Sequence, residues 1–245
     1  MRSLYPVAKT PESQFEGPAK TMAAAVYAQI RRDIVLGRLE AGSKLRLEVL
    51  SKAYEIGMSP LREALARLTG DALVVTEGQR GYWVSPLSIE EFDDVTRVRT
   101  LIETEALHQS ILQGDDVWER DVRQSFETLT EVEGRMEKGA EDLTEAFEHA
   151  NSEFHKALIS ACGSPWLMRL ADVLNRQSQR YRLVSLSNSR SRGRHVRDEH
   201  YGIMDAALAR QALRACRLVE RHFSNTQEIV REALQVHVAE FQIGP

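Results

Sequence analysis

Two short β-prone runs, Leu73-Val74-Val75-Thr76 and Tyr82-Trp83-Val84, are the only convincing strand signals in a chain of 245 residues. They are joined by Glu77-Gly78-Gln79-Arg80-Gly81, a glycine-bearing connection of hairpin length. The rest of the chain must therefore be built from helices. Before the hairpin, apolar residues recur at helical spacing over 22–36 (Ala25, Val26, Ile30, Ile34) and stop near Gly37. A link over 39–44 contains Gly42, and a second helical pattern over 45–54 uses Leu47, Leu50 and Ala53. Gly57 breaks the chain. Ser59-Pro60 opens a third helix that ends at Gly70, proline being tolerated in a first turn. Three helices, the last two separated by a tight turn, then a hairpin, make a winged helix-turn-helix.

From Ser88 onward the pattern is helical throughout. It predicts helices near 88–112, 117–137, 141–161, 165–186, 194–209 and 211–238, punctuated by Gly114, Gly139, Gly163 and Gly193. Helices of that length fold into an all-α antiparallel bundle whose interior can hold a small ligand. The fold class is thus mainly α. Residues 1–20 read as a flexible tail, 21–86 as a winged helix-turn-helix domain, and 87–245 as the helical domain.

With 42% hydrophobic and 28% charged residues, the chain is globular rather than disordered. No apolar run approaches the roughly 18 residues that span a bilayer, and the N-terminus lacks the apolar core of a secretory signal. Cys162 and Cys216, the only two cysteines, make no disulfide framework, which fits a reducing cytoplasm. The net charge of −4 argues against nucleic acid at first sight, but its distribution does not. Residues 21–86 carry nine Lys/Arg against seven Asp/Glu, and residues 87–245 carry twenty against twenty-seven. The positive balance lies where a DNA-reading module needs it.

Helical spacing also places polar groups on faces that should be apolar. On the first helix of the second domain, Arg99 interrupts a stripe of Phe92, Val95, Ile102 and Ala106. On the third, Asn151 and His155 share a face with Phe147, Leu158 and Cys162. On the fifth, His200 lies with Val196, Ile203 and Ala207, and on the last His222 lies with Ala215, Leu218 and Ile229. A buried charge or imidazole is costly unless partnered. One such histidine is ordinarily a core residue hydrogen-bonded to a carbonyl. Three on converging faces point to a shared task.

The string Ile56-Gly57-Met58-Ser59-Pro60-Leu61-Arg62-Glu63-Ala64-Leu65, with Leu68 and the Gly81 hairpin, resembles the GntR family of regulators. Residues 88–240 resemble the FadR-type C-terminal domain known as FCD, on Arg99 with Glu103, Asn151 to His155, Glu199-His200, and His222. Three positions depart from the family pattern. Met58 stands where an arginine is usual on the recognition helix, Glu48 where relatives often carry a basic residue, and Asn151 where metal-binding members have aspartate.

The resemblance implies a DNA-binding transcription regulator, a repressor, whose operator affinity is controlled by a small anionic effector. His155, His200 and His222 would hold a divalent ion, zinc or nickel, with Asn151 supplying an oxygen. Three neutral imidazoles and an amide leave the ion's charge uncompensated, so the site should favour a carboxylate, aided by Arg99 unless Arg99 pairs with Glu103. On the DNA side, Arg62 can pair bidentately with guanine, Ser59 suits a phosphate oxygen or a helix N-cap, and Arg80 and Gly81 form the wing tip. A homodimer on a palindromic double-stranded operator is expected. The alternative reading is a helical metal-dependent hydrolase fused to a DNA-binding module; a third is an architectural DNA-binding protein with no ligand.

Overall fold

The computed structural model describes residues 19–137, 143–186 and 196–242. Most of the 1–20 tail and the breaks Gly139 and Gly193 lie outside the described residues. The chain divides into two compact units, Met1–Ser88 and Ile89–Pro245. Among the described residues, no helix is long and apolar enough to cross a membrane.

In the first unit, helices α1 (Ala19–Val35), α2 (Leu47–Ala53) and α3 (Met58–Gly70) pack around Ile30, Leu50, Leu61, Leu65 and Leu68. Strands β1 (Lys44–Leu45), β2 (Val74–Thr76) and β3 (Tyr82–Val84) form an antiparallel sheet in the order β1-β3-β2. Val74 pairs with Val84 and Thr76 with Tyr82 across the hairpin. The tip is one turn of 3-10 helix, Gly78–Arg80, closed by Gly81 at φ +118°, a conformation that favours glycine.

Two local expectations are corrected. The helix expected over 45–54 begins only at Leu47, because Lys44 and Leu45 join the sheet opposite Trp83 and Tyr82. Gly42 at φ +75° turns the chain so that its N–H reaches the Val84 carbonyl, and the Val84 N–H returns to Ser43. Leu45 is thereby buried as a strand residue. In the turn between α2 and α3 the left-handed residue is Glu55, at φ +52°; Gly57 is extended (φ −68°, ψ 160°) and is the N-cap of α3.

The second unit contains α4 (Ile89–Gln113), α5 (Asp116–Glu137), α6 (Thr144–Ile159), α7 (Pro165–Leu186), α8 (Val196–Leu208) and α9 (Ala212–Gln242). α4 lies along α9 and α7, α5 along α6, and α8 along α9. Leu107, Trp118, Leu129, Phe154, Ile203 and Val219 form the centre of its core. Trp118 donates its indole N–H to the Ala157 carbonyl at 3.0 Å, tying α5 to α6. This packing turns one largely apolar face each of α4, α6, α8 and α9 toward the interior, carrying Arg99, Asn151 and His155, His200, and His222 with it.

Candidate functional site

The histidines singled out by periodicity meet inside the second unit. His155 on α6, His200 on α8 and His222 on α9 are 4%, 0% and 6% exposed. Their ring centroids lie 4.7–5.7 Å apart, and one ligand nitrogen from each lies within 4.8 Å of the others. Phe154 presents its ring edge-on to His155 and His200, and Phe223 lies beside His155 and His222. Asn151, one turn before His155, lines the same cavity as His155, His222 and Arg99.

Each imidazole has a carboxylate behind it. His222 Nδ1 lies 2.7 Å from Glu199, His200 Nδ1 3.3 Å from Glu133, and His155 Nδ1 3.7 Å from Glu103. Asn225 donates to the other oxygen of Glu199 and fixes that carboxylate. Acceptors at the Nδ1 of His200 and His222 place the proton there and turn their Nε2 lone pairs elsewhere, while Glu103 lies too far from His155 Nδ1 for a hydrogen bond. His155 Nε2 and His200 Nε2 are buried and have no hydrogen-bond partner. Burial, then the neighbouring His222, Arg99 and His200, hold the His155 imidazolium well below its usual range, so this ring is neutral. Neutral imidazoles with oriented, unclaimed nitrogens are the donor set of a divalent metal site. The residues fit such an ion.

Arg99 is buried with its Nε donating to Glu103 at 2.5 Å and its guanidinium 4.2 Å above the Phe223 ring. Its Nη2 has no hydrogen-bond partner. Burial lowers its pKa, but an arginine stays charged. Arg182 on α7 makes a second buried pair, donating to Glu148 at 2.8 Å. Glu103, Glu133 and Glu199 stand behind the imidazoles, so the triad carries negative charge at its rim that the sequence spacing within single helices does not reveal.

Sequence reasoning missed Glu133, Glu148, Glu199 and Arg182 in these roles. Glu148 was findable, since it stands three residues before Asn151 on the same stripe. Glu199 was not: it precedes His200 but serves His222 on the next helix.

In the first unit, Met58, Ser59, Arg62 and Glu63 lie exposed on α3. Gly57, not Ser59, is the N-cap, and α3 has no side-chain cap bond, so of the two roles expected for Ser59 capping is excluded. Arg80 is exposed at the hairpin tip next to Gly81, and Lys44 covers the Trp83 ring at 4.9 Å.

Residues 22–84 match the family described as bacterial regulatory proteins, gntR family, and residues 94–225 match the FCD domain. The chain is 39% identical over 213 residues to the HTH-type transcriptional regulator BphR of Paraburkholderia xenovorans, covering 87% of this chain and 86% of that protein. It is 30% identical to the HTH-type transcriptional repressor GlaR of Escherichia coli, over 85% of this chain and 95% of that one. In fold it resembles a putative transcriptional regulator GntR from Rhodococcus sp. RHA1, with a TM-score of 0.71 at 20% identity, covering 87% of this chain and 99% of that chain. The hydrolase alternative finds no support in these relatives, which are transcription regulators along nearly their whole length. The chain belongs to the GntR family of bacterial DNA-binding transcription regulators, its helix-turn-helix followed by a ligand-binding FCD domain.

Proposed function

We propose that the chain is a FadR-type cytoplasmic repressor, with residues 21–86 binding an operator as part of a homodimer and residues 87–245 sensing a small carboxylate beside a bound divalent ion. The observation that carries this reading is the orientation of the histidines. Carboxylates accept at the Nδ1 sides of His200 and His222, a third lies 3.7 Å from His155 Nδ1, and the Nε2 atoms of His155 and His200 are buried with no protein donor. A buried polar atom without a partner is expensive unless something outside the polypeptide meets it.

His155, His200 and His222 would hold the ion, with Asn151 near enough along α6 to add its amide oxygen directly or through water. Nitrogen-rich ligation suits zinc or nickel. The ion would offer a positive anchor to an effector carboxylate, and Arg99 contributes its Nη2 donors from α4. On the operator side, Arg62 reads a guanine, Ser59 meets a phosphate, and Arg80 with Gly81 brings the wing against the backbone. The name of GlaR supports the repressor assignment.

The test is elemental analysis of the purified protein together with its melting temperature in the presence and absence of a chelator. A ligand set spread over α6, α8 and α9 ties three helices together, so stripping the ion should lower the melting temperature. No metal after soaking in zinc or nickel, with no chelator effect, would reduce the three histidines to hydrogen-bonded core residues.

A further inference from the structure

Glu103 stands between two buried groups and bonds to only one of them. Its Oε1 accepts from Arg99 Nε at 2.5 Å, while its Oε2 lies 3.7 Å from His155 Nδ1, beyond hydrogen-bond reach. The other two histidines are already served, His222 by Glu199 at 2.7 Å and His200 by Glu133 at 3.3 Å. The carboxylate that would serve His155 is held by a guanidinium instead.

Three features leave that hold weak. The Arg99–Glu103 pair has one hydrogen bond, through Nε, whereas Arg182 grips Glu148 through both Nε and Nη2. Arg99 does not depend on Glu103 for its place, since its guanidinium lies 4.2 Å above the Phe223 ring. Glu103 also has space beside it. With His155, Ser152 and Asn175 it lines an open cleft of about 390 Å³ against α6 and α7.

From these distances we propose that Glu103 is a positioning residue for which His155 and Arg99 compete, and that it couples the ion to the anion. This rests on the metal reading above and goes beyond it. A ring nitrogen that gives its lone pair to a cation leaves the opposite N–H a stronger donor, and ligating histidines ordinarily hand that N–H to a carboxylate. With the ion held, His155 draws Glu103 toward Nδ1 and loosens it from Arg99. The guanidinium, still stacked on Phe223, then turns two neighbouring donors, Nε and the unpartnered Nη2, to an effector carboxylate. Metal loading thereby strengthens anion binding at Arg99, and by reciprocity a bound anion tightens the ion.

The experiment is a double-mutant cycle on the full chain, read by zinc affinity in competition with a chromogenic chelator. Its members are the wild type, Glu103→Gln, Arg99→Met and the double variant. Glu103→Gln should weaken zinc binding about tenfold. Arg99→Met should tighten it, by about threefold more when Glu103 is present than in the Glu103→Gln background. The arginine's charge repels the ion alike in both backgrounds, so the difference isolates competition for Glu103. Nitrogen-15 histidine spectra give a readout that needs no variant to fold. Adding zinc to the wild type should move the His155 Nδ1–H proton downfield as it enters a hydrogen bond. Equal gains in the two backgrounds, or an unshifted His155 proton in zinc-loaded wild type, would overturn the role of Glu103 and leave the metal reading standing. Failure of zinc to bind the wild type would overturn both.

Discussion

Arg62 and Met58 stand one helical turn apart on the exposed face of α3, and their chemistry predicts opposite effects on the operator. A guanidinium pairs bidentately with guanine, so Arg62→Ala should cost about 1–3 kcal/mol of operator affinity and relax one base preference. Mobility shifts against a selected operator and random DNA measure this, and an unchanged ratio would remove Arg62 from base reading. A thioether donates no hydrogen bond, so the position facing Met58 should show no guanine preference. A strong guanine selected there would contradict the placement. In the second unit, if the proposed ion is bound, a residue that tunes its affinity need not touch it. Glu199 orients His222 from 2.7 Å, and Glu199→Gln should weaken zinc binding by about 10–100-fold. Asn151→Asp should tighten it, because a carboxylate is a stronger donor than an amide. Competition against a chromogenic chelator reads both, and equal affinity in all three proteins would refute the assigned ligand set.

At the scale of elements, the sequence was legible wherever one face of a long helix is apolar. The six helices of the second unit were placed to within a few residues over the described stretches, because their core positions repeat at 3.6 residues. Arg99, His155, His200 and His222 stood out for the same reason, as polar interruptions of those stripes. Apart from Glu148, what escaped depends on a neighbour distant in sequence. A two-residue strand such as β1 has no period to detect, and it exists because β3 offers it an edge. The carboxylates behind the histidines act across helices, so no spacing within one helix reveals them.

Two glycines show how far local reading goes. Gly114 was read as a break between helices, yet its lack of a side chain also serves packing: an added Cβ would sit 2.3 Å from the Trp118 ring and 2.7 Å from the Ser110 carbonyl oxygen. Gly134, inside α5, has nothing within 4 Å of the same point and was not singled out. Gly114→Ala should therefore destabilise the protein by about 1–3 kcal/mol through overpacking. Gly134→Ala should stabilise it by about 0.5–1 kcal/mol through helix propensity. Chemical denaturation followed by circular dichroism separates them; a neutral Gly114→Ala would mean that the α4–α5 corner relaxes freely.

For the whole molecule, the consequence of joining a DNA-binding unit to a ligand-binding one is thermodynamic linkage. If a carboxylate changes operator affinity by some factor, the operator must change carboxylate affinity by the same factor. A repressor released by its effector should therefore bind that effector less tightly when DNA is present. The proposed dimer adds salt dependence. Phosphate contacts release counterions, so operator affinity should fall steeply with salt, whereas a buried pocket lined by paired arginines should respond far less. The two dependences can be separated by titrating effector into free and operator-bound protein at two salt concentrations. The expected result is a weaker effector Kd on DNA by the same ratio in which effector weakens DNA binding, at each salt. Identical effector affinity with and without operator would show that the FCD pocket, whatever it binds, does not control the helix-turn-helix.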